Sequence, residues 1–148
     1  ARGRAALDGP ARLILADTGA LYALADRRDA WHERMRKFWE ENPEPWLVPS
    51  SVVTEAAFLY GRRLGPEAEA DFVASLAAGD FAVETLESAD YARAADLIRA
   101  YGDLPLGFVD ASIVALAERL DVGTLVTTDR RHFALVRPAH VPRLRLVP

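Results

Sequence analysis

Four carboxylates stand where apolar, strand-like runs give way to helix-like runs: Asp17 in ILADTGAL, Glu55 in SSVVTEAA, Asp110 in LGFVDASIVA and Asp129 in LVTTDRRHF. In an open α/β sheet such junctions fall at the carboxyl ends of strands, and ligands bind in the crevice beyond them. A shared site built only from carboxylate oxygens, with no cysteine anywhere in the chain, suits a hard divalent cation, Mg²⁺ or Mn²⁺, better than zinc. The chemistry this permits is activation of a bound water and neutralisation of charge on a phosphate.

Each acid also has a plainer reading. Asp110 lies in FVDASIVALA, which is apolar or small on nearly every face and reads as a buried helix with no Arg or Lys before Arg119. A buried carboxylate without a partner costs several kcal/mol, on the order of a broken buried pair, so Asp110 must be hydrogen-bonded, paired or a metal ligand. Asp17 and Asp129 each stand as either a helix cap or a ligand. Glu55 fails the capping-box test, because Ser51 points three residues ahead to Thr54 and Glu55 pairs with Val52. Its neighbours VVT and AAFLY are apolar, so it is expected to be a buried, directed carboxylate. Thr127 and Thr128 offer hydroxyls to a water or a neighbouring ligand.

The remaining polar residues read more simply. Asp29 and Asp90 are expected to cap helices, and Glu33, Glu40, Glu41, Glu67 and Glu69 to line solvated helix faces. Asp103, in YGDLPLGF, either joins the site's supporting shell or caps a turn. His32, His132 and His140 show no paired ligand spacing and default to surface or packing roles. Trp31, Trp39 and Trp46 read as core or interface rather than base-stacking platforms. Arg27, Arg28, Arg62, Arg63, Arg130 and Arg131 are candidate phosphate contacts.

These residues need a scaffold. Arg12–Ala16, Trp46–Val48, Phe81–Glu84 and Thr124–Thr127 read as strands, with Leu144–Val147 a fifth on an edge. Helices are expected after Asp17, after Asp29, from Ser50 or Ser51 to about Arg63, after Gly65-Pro66, from Ser88 or Asp90, and over Leu106–Leu120. Strands alternating with helices imply an α/β fold with a mainly parallel central sheet of four to five strands, covered by helices on both faces. At 148 residues and 51% hydrophobic the chain suits one domain, expected over residues 12–148 behind an N-terminal extension of residues 1–11. No membrane span or secretory signal is visible, and the lack of cysteine fits a cytoplasmic protein.

The net charge is -4. Residues 1–12 carry +2 and residues 130–148 hold five Arg and no acid, leaving -11 in the middle. Such a middle repels nucleic acid unless cations sit in it, and two divalent ions would bring the formal total to zero.

With these residues in place the chain resembles the PIN-domain ribonucleases, and among them the VapC toxins of bacterial type II toxin-antitoxin systems. The likeness runs from about Leu13 to Leu146. It rests on Asp17-Thr18 after the first strand with Gly19 following, on Ser50 and Glu55, on Gly107-x-x-Asp110-Ala111, and on Thr127-x-Asp129. The resemblance implies a PIN-like fold and RNA phosphodiester hydrolysis with one or two Mg²⁺ or Mn²⁺ ions. Asp17, Asp110 and Asp129 would supply direct ligands, with Glu55 acting through water or positioning the nucleophile. Thr18, Thr127 and Asp103 would support them. It further implies an RNA substrate, a homodimer and a cognate VapB-type antitoxin. The alternative from another class is a catalytically silent PIN scaffold that binds RNA or protein, which loss of carboxylates would mark. A haloacid-dehalogenase-like phosphatase needs a second Asp where Gly19 stands, and a receiver domain needs a late Lys where the sole lysine is Lys37.

Overall fold

Short aliphatic runs with no polar alternation cannot present a face to water, and they occupy the middle of the sheet. The computed structural model describes residues 13–148; the expected extension, residues 1–11, lies outside them. The elements are β1 (Leu15–Ala16), α1 (Thr18–Ala25), α2 (His32–Glu41), β2 (Trp46–Pro49), α3 (Ser50–Arg63), α4 (Pro66–Ala78), β3 (Phe81–Glu84), α5 (Ser88–Ala100), α6 (Phe108–Arg119), β4 (Thr124–Val126), α7 (Arg130–Leu135) and β5 (Arg145–Val147). The strands form one sheet in the order β3-β2-β1-β4-β5. Every pairing is parallel. β1 and β2 are buried throughout, whereas β3, on an edge, exposes Ala82 and Val83.

The chain walks from β1 through β2 to β3, then returns past β1 to β4 and β5. Right-handed crossovers therefore put the helices of the two walks on opposite faces. The reversal makes the β1–β4 boundary a switch point, where Leu15 pairs with Leu125 and Ala16 with Val126. Among the described residues no helix is long and apolar enough to cross a membrane.

Trp46, fully buried, meets Trp39 edge-on at 4.8 Å between ring centroids. The α6 segment Ala111 to Ala117 is buried residue by residue, which is why its sequence lacks a polar face. Two arginine clasps hold α6 against its neighbours. Arg93 grips Glu118 with two hydrogen bonds of 2.7 and 2.9 Å, and Arg119 reaches Asp90 at 3.0 Å and Glu84 at 3.2 Å.

Three local expectations change. Asp29 does not cap α2 directly, because its side chain accepts the Trp31 N–H and its carbonyl the His32 N–H, forming a turn ahead of the helix. α6 begins at Phe108 rather than Leu106, since extended Gly107 supplies the first carbonyl, bonded by the Ala111 N–H. Asp90 completes a capping box with Glu87, but it is also 2% exposed and ion-paired to Arg119, so it is a buried clasp as well as a cap.

Candidate active site

The carboxyl ends of β1 and β4 lie side by side, so the residues that follow them are brought together by the sheet itself. The Asp17 N–H donates to the Val126 carbonyl at 3.1 Å, and the next residue on the β4 side, Thr127, is fully buried. Its hydroxyl donates to Asp17 Oδ2 and accepts the Asp129 N–H at 2.9 Å. One hydroxyl thus ties two of the four acids. Asp17 Oδ1 accepts the Ala20 N–H at 2.8 Å, so Asp17 caps α1 as well. Asp129 caps α7, taking the His132 N–H at 3.1 Å, while its second oxygen meets His132 Nδ1 at 2.7 Å. A carboxylate offers about four lone-pair directions, so capping leaves both acids free to do more. Gly19 permits this closeness, because a Cβ there would collide with Thr128 Oγ1 and lie 3.6 Å from Asp17 Oδ1.

Asp110 and Glu55 approach from α6 and α3. Ser51 Oγ and Ser112 Oγ are 2.7 Å apart, joining the starts of these helices. Glu55 lies one turn beyond Ser51 on the same side of α3, and Asp110 precedes Ser112 by two residues. The expectation that Glu55 is buried is corrected: it is exposed. The buried stripe of α3 runs through Val52, Ala56 and Tyr60, and Glu55 falls off its edge onto the rim. A groove of about 590 Å³ begins there, lined by Ser50, Thr54, Phe58, Tyr91 and Phe108 beside Glu55. Asp17, Asp110 and Asp129 do not line it.

The electrostatics join all four acids. Burial raises the Asp17 pKa from 3.8 to about 7, outweighing the Thr127 and Ala20 hydrogen bonds, with the charges of Asp110 and Asp129 adding to the rise. Burial also raises the half-buried Asp110 to about 6, reinforced by Asp129 and Glu55 and opposed by His132. A buried Asp17 beside other acids is relieved by a proton or by a cation. The buried Thr18 Oγ1, which has no hydrogen-bond partner, adds an unused oxygen beside Asp17. Among the described residues no three acidic or imidazole groups close into a ready cage. What the residues do offer is a set of oxygen donors, Asp17, Asp110, Asp129 and Thr18, which is the donor chemistry of hard divalent cations. The residues present therefore fit a hard divalent ion.

Asp103 is exposed in the turn before α6 and takes no part in these hydrogen bonds or charge couplings. His132, expected at the surface or in packing, instead holds Asp129 and acts on Asp110. Its spacing of three residues from Asp129 was a usable signal, since that is one helical turn. Ser51 and Ser112 were legible only as small residues at helix starts. His32 and His140 do pack, through backbone carbonyls of Ala23 and Val122.

Comparison with known proteins identifies the fold and the family. The family model described as PIN domain matches residues 14–137. Ribonuclease VapC26 of Mycobacterium tuberculosis is 31% identical over 135 residues, covering 91% of this chain and 100% of that protein. Two solved structures share the fold. The first is Mycobacterium tuberculosis VapC20, described as a Sarcin-Ricin loop cleaving toxin, with TM-score 0.71 and 22% identity over 76% of this chain and 86% of that one. The second is DNA-bound VapBC from Salmonella typhimurium, with TM-score 0.68 and 18% identity over 90% and 96%. The chain belongs to the PIN-domain family, among its VapC-type ribonucleases.

Proposed function

We propose that residues 12–148 form a single PIN domain acting as a Mg²⁺- or Mn²⁺-dependent endoribonuclease, the toxin of a toxin-antitoxin pair. The observation that carries the reading is the buried Asp17 carboxylate, bonded through Thr127 to Asp129 and coupled in charge to Asp110 at the sheet's switch point. Asp17, Asp110 and Asp129 would hold the ion. Glu55, open to solvent at the rim, would bind it through water or orient the attacking water. Thr127 fixes the Asp17 carboxylate and the backbone of Asp129, His132 holds the Asp129 carboxylate, and Thr18 stands beside Asp17. One or two bound ions would supply Lewis-acid polarisation of the phosphate and a lower pKa for a coordinated water. Asp103 is left out of this set. A silent scaffold is disfavoured because no acid of the constellation is missing.

The proposed substrate is single-stranded or loop RNA, whose unstacked bases a protein can read. The solved relatives include a toxin-antitoxin complex from Klebsiella pneumoniae and the VapBC complex, which supports a VapB-type antitoxin for this chain; a homodimer and a cytoplasmic location complete the proposal. The test is incubation with total RNA, with Mg²⁺ or with chelator, followed by mapping of cleavage ends. Metal-dependent ends that vanish in Asp17→Asn and Asp110→Asn, both still folded, are expected. Undiminished cleavage by either variant would overturn the site.

A further inference from the structure

We propose that Arg34 and Arg130, both laid against the Trp31 indole, form a cradle for the phosphodiester backbone of single-stranded RNA beside the acidic site; this rests on the ribonuclease reading of that site. The Arg34 guanidinium lies 4.9 Å from the Trp31 ring centroid and that of Arg130 lies 5.5 Å away. Trp31 is half-buried and packs on the core, so the ring is a fixed platform. Both arginines are exposed, and neither has an ion-pair partner among the described residues. Arg36, two residues along the same helix, is by contrast bound to Glu33 and Glu40.

Two guanidiniums held against one ring without ion-pair partners concentrate positive charge, and a phosphate bound beside them offsets it. Stacking leaves the N–H edges of a guanidinium free to bind phosphate oxygens, and it restricts the side chain before the ligand arrives. Position selects the ligand. Arg130 directly follows Asp129, so the cradle abuts the carboxylates. A polyanion approaching that acidic crevice needs cations at its edge, and no sequence preference is required of a contact to phosphate.

The test is equilibrium binding of a labelled, cleavage-resistant single-stranded 2′-O-methyl RNA oligonucleotide to the full chain at a fixed low Mg²⁺ concentration over a series of NaCl concentrations. Removal of two phosphate contacts should make the log–log salt slope shallower by about 1.4 in the Arg34→Ala/Arg130→Ala double variant, at ~0.7 per contact for single strands. Arg36→Ala, which removes an equal charge from an already paired residue on α2, should leave the slope at the wild-type value. A thermal melt checks that both variants fold. An unchanged slope in the double variant, an equal effect of Arg36→Ala, or no RNA binding by wild type would overturn the cradle. Loss of binding to polyglutamate with the RNA slope retained would assign the arginines to a protein partner and also overturn it. Cleavage of unmodified RNA with Mg²⁺ is run in parallel: RNA that is cut while the slope is unaffected removes the cradle alone, and slope loss in a protein that never cuts removes the nuclease reading instead.

Discussion

Replacing Asp17 with Asn should stabilise the metal-free protein while abolishing cleavage, and the size of the gain follows from the burial of this one carboxylate. Its folded pKa of about 7 lies above its ordinary value of 3.8. Between those two values the folded state holds a proton that the unfolded state has released, so stability falls as pH rises through the window and levels off above it. A shift of roughly three units is worth about 4 kcal/mol at ~1.36 kcal/mol per unit. The asparagine amide has one acceptor oxygen where the carboxylate has two, so it can accept the Ala20 N–H or the Thr127 hydroxyl but not both, which returns about 1 kcal/mol. The net gain of about 3 kcal/mol raises the melting temperature by roughly 6–12 °C for a chain of this size. Thermal melts of chelator-treated wild type and Asp17→Asn, from about pH 4 to about pH 8, measure it by a difference in which other titrations largely cancel. The gain should vanish near the acid end and reach its plateau above neutrality. Excess Mg²⁺ should narrow the gap by stabilising only the wild type. A variant that is less stable near pH 8, or a gain that ignores pH, would refute the reasoning.

Other substitutions separate the parts of the site. Ser112→Ala removes the contact to Ser51 that aligns α3 with α6, and urea unfolding should show a loss of about 1 kcal/mol while kcat falls further than stability does. His132→Ala keeps the backbone cap of α7 but frees one Asp129 oxygen, and Mg²⁺ titration of the melting temperature should report about tenfold weaker binding. Arg119→Ala leaves Asp90 buried and uncompensated, and urea unfolding should lose about 3 kcal/mol. Equal stability of that variant and wild type would mean that water reaches Asp90.

The fold was legible because burial writes itself into composition. Continuous aliphatic runs marked β1, β2 and β4, and the featureless apolar face of α6 marked a helix packed on all sides. Helix starts were less legible. An Asx turn at Asp29 and an extended Gly107 each delay the helix that follows by two residues, and either geometry is compatible with the same local sequence. The hidden part of the site consists of contacts between distant segments. Ser51 and Ser112 are 61 positions apart, and the Asp17–Thr127 bond spans 110. No local periodicity encodes such pairs; the parallel register of β1 with β4 creates one, and the packing of α3 on α6 the other.

Glu55 and Asp17 show where position and environment part company. Apolar neighbours suggested that Glu55 is buried, yet helical geometry turns it about 100° from Ala56 and onto the rim. Asp17 was explicable as a cap, and it is one, but capping does not account for a carboxylate 5% exposed among other acids. A cap at a solvated helix start gains its amide hydrogen bonds with little desolvation. Here desolvation exceeds what those bonds return, so the folded, metal-free protein carries a local instability that a capping role alone would not retain. A divalent cation reverses the sign of that balance, because the same burial that penalises a bare carboxylate strengthens its attraction to a bound ion. On the proposed reading, capping and ligation would be successive uses of one side chain: the amide bond fixes the orientation of Asp17, and a cation would make use of its uncompensated charge.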